Sequence, residues 1–209
     1  MTGREYRMRK RAEDLDATRE RIVEAAAALH FQQGVTATSY VQIAERAGVG
    51  PATVYRHFPT LGSLVSACGA NVWDAIQPPV PENAPAVFAG LAEGKPRLER
   101  LVAELDAFYD RAAVWLGNAA RDRDRVPELD EFLRQVEASV EALVREAMGA
   151  GSSEAVIRLM MALADVSVWL SLKRLDAPPA EFRRTMVRLL DCAIAIAAQG
   201  PDGPERADG

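Results

Sequence analysis

The residues best equipped for chemistry in this 209-residue chain crowd into one run, Ile43 to Pro59, IAERAGVGPATVYRHFP. Within it Thr53, Tyr55, Arg56 and His57 supply a hydroxyl, a phenol, a guanidinium and an imidazole. All are hydrogen-bond donors suited to an oxyanion. Ser39 and Tyr40 stand just upstream. The set does not look catalytic. The sequence shows no glycine-rich phosphate loop, nucleophile elbow or plausible Ser-His-Asp set, and both histidines, His30 and His57, fall in its first third. Two histidines, with Cys68 and Cys192 far apart, exclude a multi-histidine metal centre. The expectation is a protein that is not an enzyme, needs no cofactor, and keeps both cysteines as buried free thiols.

The donors need a scaffold, and the same run describes one. Two helices crossing nearly at right angles need a small residue at the crossing, and Ala44 meets that need. The turn needs a residue comfortable at positive φ, which Gly48 supplies four positions later. Ile43, Ala47, Val49, Val54 and Phe58 are the apolar faces that lock the pair. This is the pattern of a helix-turn-helix, whose second helix offers its leading side chains to the major groove of DNA. Ser39 opens the first of the two helices, and Gln42 completes a Ser-x-x-Gln capping box. Pro51 suits the first position of the second helix. An alanine-rich amphipathic helix from about Asp16 to Gln33, stopped by Gly34, precedes the pair, and Thr60 caps a fourth helix running to about Gln77.

From Thr18 to Ala67 the sequence resembles the TetR family of bacterial transcriptional regulators. The resemblance is carried by the Ile-apolar-x-Ala-Ala opening, the glycine before a Thr/Ser-led helix, Ile-Ala-x-x-Ala-Gly-Val, and Tyr-x-His-Phe. It implies that Ser39 and Tyr40, with Thr53, Tyr55 and His57, hydrogen-bond DNA phosphates, which fix register without reading sequence. It leaves base reading to Pro51, Ala52 and Arg56, with Val41 in reach, and lets Ala52 and Thr53 touch a thymine methyl. Three positions depart from the family pattern: Gly50 replaces the usual serine cap, Leu61 replaces a phosphate-binding lysine, and His30 replaces an aromatic core residue.

The charge is unevenly spread. Residues 1–60 hold nine Lys/Arg and seven Asp/Glu, net +2, while residues 61–209 hold sixteen and twenty-three, net −7. Only the first part suits a polyanion. Arg4, Arg7, Arg9, Lys10 and Arg11 form a basic arm, residues 1–15, expected to be mobile in isolation. It either lies along phosphates or in the minor groove, or is a solvated tail.

Hydrophobic residues make up 49% of the chain, and scarce β-branched runs favour an all-α fold of about nine helices. The expected division is a helix-turn-helix DNA-binding domain over 16–60, a helical effector-binding and dimerisation domain over 61–200, and a disordered tail at 201–209. The break PPVPENAP, Pro78 to Pro85, precedes strong helical periodicity in Leu98, Leu101, Val102, Leu105, Phe108, Tyr109 and Ala112. A shorter segment around Trp115 is expected next, then a helix from Pro127, one from Ser153 to about Leu175, and a last one from Pro179 to about Ala198. Aromatics and methionines in this region serve a core or line a cavity. The resemblance implies an effector pocket, for which Trp73, Phe108, Tyr109, Trp115, Phe132, Met161, Asp165 and Trp169 are candidates. Asp165 lies in a largely apolar segment and needs a partner: a ligand amine, an arginine or a dimer contact. Asp106 and Asp110 are read as solvent-facing. The resemblance further implies a homodimer through the last two helices, a palindromic operator of double-stranded DNA, a small, largely hydrophobic effector, and repression as the default. A ligand-insensitive DNA-binding or partner-binding protein is the alternative. With no apolar run of bilayer length and no leader, the expected location is the cytoplasm, with no membrane partner.

Overall fold

The computed structural model describes residues 3–198, and among these every regular element is helical. The helices are α1 (Gly3–Gln33), α2 (Tyr40–Ala47), α3 (Pro51–His57), α4 (Leu61–Ile76), the single turn α5 (Ala84–Val87), α6 (Lys95–Asp122), α7 (Pro127–Met148), α8 (Glu154–Leu163), α9 (Val166–Lys173) and α10 (Pro179–Ala198). Setting α5 aside leaves nine, the number that the periodicity predicts. The tail at 201–209 lies outside the described residues.

Two compact units divide the chain, one running to Ile76 and including Val114–Leu133, the other comprising Gln77–Ala113 and the residues from Arg134 onward. The first unit thus extends past residue 60, and α6 and α7 each supply residues to both units.

In the first unit, α1, α2, α3 and α4 close around Ile22, Val23, Ala26, Ile43, Ala44, Ala47, Val54, Phe58, Leu64 and Cys68. Cys68 is buried, and its burial pushes the thiol up to about 12. The later part of α6 is tied to the end of α1. Asn118 Nδ2 donates to the carbonyl of His30 (3.2 Å), which also accepts the Gly34 N–H, and to that of Phe31 (2.8 Å) in the last turn of the helix. The Asp122 carboxylate accepts the Thr36 N–H at 3.0 Å and the Thr36 hydroxyl at 2.6 Å. Between these contacts the chain turns at Gly34, φ +91°.

The second unit buries the predicted α6 face, Leu98, Leu101, Val102, Leu105, Phe108, Tyr109 and Ala112. Several expectations are corrected here. Trp115 is not in a separate segment, because α6 continues unbroken to Asp122. The stretch read as one helix from Ser153 is two, α8 and α9, meeting at 44°. Asp165 makes the break: its side chain caps α9 by accepting the Ser167 N–H at 2.8 Å. Its partner is therefore its own helix. Asp106 is not solvent-facing but only 1% exposed, with Lys173 Nζ and Arg183 Nε each 2.7 Å from its carboxylate. Cys192 is exposed, not buried.

Candidate nucleic-acid interface

The recognition pair begins at Ser39. Its hydroxyl oxygen accepts the Gln42 N–H at 3.3 Å, and the Gln42 side chain accepts the Ser39 N–H at 2.9 Å, closing the capping box. The helix ends at Gly48, φ +66°, ψ +38°. Val49 N–H returns to the Ala44 carbonyl at 3.0 Å and Gly48 N–H to that of Glu45 at 3.2 Å, the paired bonds of a Schellman motif. Ala44 is buried, as its place at the crossing requires. α3 then starts at Pro51, where a missing N–H costs nothing.

On α3, Val54 is fully buried and anchors the helix inward. Pro51, Ala52, Tyr55 and Arg56 are exposed, and Thr53 is half-buried. Tyr55, 58% exposed, lies with its ring centroid 4.6 Å from that of Tyr40, so α2 and α3 present two phenols side by side. Tyr40 donates its hydroxyl to the Phe58 carbonyl at 3.0 Å, and burial, then Tyr55, raises its pKa. The proton expected to meet a phosphate is thus already engaged in the free head, leaving the oxygen as acceptor. His57 is half-buried and its Nε2 is enclosed without a hydrogen-bond partner among the described residues. Val41 is exposed on α2.

The pocket candidates fall in both units. Trp73, Trp115 and Phe132 belong to the first, where Trp73 packs edge-on to Phe132 (6.0 Å) and Trp115 against Phe31 (4.9 Å). Phe108, Tyr109, Met161, Asp165 and Trp169 belong to the second. There the Tyr109 hydroxyl donates to the Ala164 carbonyl at the α8–α9 break, and Trp169 packs between Tyr109 (5.4 Å) and Phe182 (5.3 Å). Trp169 is 1% exposed and its Nε1 has no partner among the described residues. No cluster of three or more His, Cys, Asp or Glu with metal-binding geometry occurs among the described residues. Nor, among the described residues, is any single helix long and apolar enough to cross a membrane.

Residues 22–68 match the family profile described as bacterial regulatory proteins, tetR family. Over those residues the head is similar to that family. The whole fold agrees with solved structures of that kind. A Mesorhizobium loti protein described as a TetR-family transcriptional regulator superposes with a TM-score of 0.60 at 17% identity, over 87% of this chain and 97% of that one. A transcriptional regulator from Rhodococcus sp. gives 0.56 at 21% identity, over 87% and 96%. The multidrug binding protein EbrR, complexed with imidazole, gives 0.55 at 23% identity, over 82% and 88%. At such identities the likeness is one of fold. No protein of curated function matches the chain.

The three departures from the TetR pattern have visible consequences. Gly50 takes the extended cap conformation, φ −77°, ψ +148°, but offers α3 no side-chain hydrogen bond. Leu61, half-buried, opens α4 without a cation. His30 is 6% exposed, and desolvation lowers its pKa to about 4 against the opposing pull of Asp122. Sequence reasoning missed Asn118 and Asp122, because two polar residues four apart on a long amphipathic helix read as a solvent face. The carboxylate itself is held low. Burial works to raise it, and the hydrogen bonds from Thr36 and Val35, together with Arg121, outweigh that burial.

Proposed function

We propose that this chain is a transcriptional repressor that grips a roughly palindromic DNA operator as a homodimer and lets go when a small, largely hydrophobic ligand binds its second unit. The observation carrying this reading is the left-handed turn at Gly48, which sets α3 with Val54 inward and Pro51, Ala52, Tyr55 and Arg56 outward. Arg56 reads a guanine edge; Pro51 and Ala52 line the groove, where Ala52 and Thr53 meet a thymine methyl. Ser39, Tyr40, Thr53, Tyr55 and His57 set the register on phosphates, with Tyr40 turning its hydroxyl from the Phe58 carbonyl to the DNA and His57 acting through Nδ1.

Dimerisation is supported by an apolar stripe on α10. Leu189, Cys192 and Ile196 recur at helical spacing and are exposed, flanking the face that buries Met186 and Leu190. A second copy covering this stripe brings two α3 helices to successive major grooves, roughly 34–36 Å apart. Aromatic packing around Trp169 and its unpartnered Nε1 supports a ligand site in the second unit. Release then follows by population shift, the ligand favouring a state with the wrong groove spacing.

The test is selection of bound sequences from a random duplex library, followed by gel shifts on the recovered motif with and without hydrophobic small molecules. A two-fold motif and ligand-dependent release are expected. Failure to enrich any sequence at low ionic strength would sink the reading.

A further inference from the structure

The head owes its positive charge to a short stretch. Residues 4–11 hold five Lys/Arg and one glutamate, net +4, whereas residues 12–60 hold only Arg19, Arg21, Arg46 and Arg56 against six carboxylates, net −2. Nor are those four cations all free for DNA. Arg19 lies over the Phe58 ring at 5.0 Å, and Arg21 and Arg46 share a shallow depression of about 270 Å³ with Glu24. Arg56 is the single cation of α3, and Leu61 adds none at the start of α4. A net-negative surface approaching a duplex is repelled, and counterion release needs cations on phosphates.

The basic stretch is built as a stem. α1 is continuous from Gly3 to Gln33, yet among its described side chains the first that is buried is Ile22. Met8, Arg9, Lys10 and the residues from Ala12 to Ala17 are exposed. The stem starts beside the recognition helix, because Arg19 touches Phe58 at the end of α3. At 1.5 Å per residue, residues 4–11 lie about 12–22 Å along the axis from Arg19. That equals or exceeds the major-groove width of roughly 12 Å, a length sufficient to reach past the groove faced by α3. A helix of about 10–12 Å diameter cannot enter a minor groove of roughly 6 Å, which leaves the phosphate rows.

We propose that the N-terminal stem of α1, residues 4–11, is a second DNA contact of each head, lying on backbone phosphates that flank the bases faced by α3. The proposal rests on the DNA-binding reading above and deepens it. The stem supplies most of the electrostatic affinity and none of the base preference, a division that spares α3 a high charge.

The experiment compares the full chain, a variant lacking residues 1–11, and the double substitution R9Q/K10Q. Each is titrated onto the selected duplex across 50–300 mM KCl, roughly the range over which phosphate contacts dominate affinity. Deletion should lower the log-affinity against log-salt slope by about 2–4 per head and affinity about 10–100-fold at the lower salt concentrations. R9Q/K10Q should lower the slope by about 1–2 per head. Hydroxyl-radical protection should retreat by a few base pairs at both ends, with the preferred bases unchanged. An unchanged slope and footprint after deletion, with circular dichroism showing an intact head, overturns the stem contact and leaves the DNA-binding reading standing. Loss of base preference on deletion also overturns it. A full chain that binds no duplex overturns both.

Discussion

Among single residues, Arg56 and His30 make the sharpest claims. Arg56→Ala should cost about 1–3 kcal/mol against one operator base pair and relax preference there alone. Tyr55→Phe and His57→Ala should weaken all sequences alike. Fluorescence anisotropy on a panel of single-base operator variants separates the two patterns, and a uniform loss for Arg56→Ala would remove its reading role. His30 makes a claim about pH. Its folded pKa of about 4 lies below the ordinary 6.5, so on acidification the unfolded chain takes the proton first. The stabilisation is complete above pH 6.5 and is lost as pH falls toward 4. Between pH 6.5 and 5 the loss should reach at most about 2 kcal/mol. Urea melts should show it, and His30→Phe should flatten it. An equal acid sensitivity in His30→Phe would place the effect elsewhere.

At the scale of elements, Gly48 is the turn on which the recognition pair depends. Nothing lies within 4 Å of the position a Cβ would occupy there, so substitution is opposed by the positive φ alone. Gly48→Ala should therefore cost about 1 kcal/mol in thermal or urea unfolding without repacking the core, and a cost near zero would show that the turn relaxes. This turn was legible in the sequence because its geometry is local: capping box, left-handed stop and Pro51 all act within a few residues. The amphipathic faces of α6 and α10 were legible for the same reason. What escaped was long-range. Asp106 looks like a surface carboxylate until Lys173 and Arg183 arrive from α9 and α10, and nothing within its own helix announces them. Asp165 was recognised as needing a partner, but a helix break with an N-cap is hard to see inside an apolar run. Tyr109 bonds the carbonyl left at that break, so Tyr109→Phe should destabilise the second unit by about 1–2 kcal/mol. Unchanged calorimetric stability would show that water replaces the bond.

For the molecule as a whole, the exposed α10 stripe makes the test of assembly. Leu189→Glu with Ile196→Glu should halve the mass in sedimentation equilibrium and sharply reduce operator affinity, since two half-sites would no longer be engaged together. A variant that stays dimeric would move the interface off this stripe. The salt bridge between Asp106 and the α9–α10 cations needs no such surface, and its strength should be indifferent to protein concentration.

The bond between Thr36 and Asp122 has a practical use. An amide proton given to a carboxylate 86 residues away in the chain should resonate well downfield and exchange slowly with solvent. One cross-peak in an amide spectrum therefore reports whether the far end of α6 stays docked, which makes Thr36 a built-in beacon for screening compounds before any operator is known.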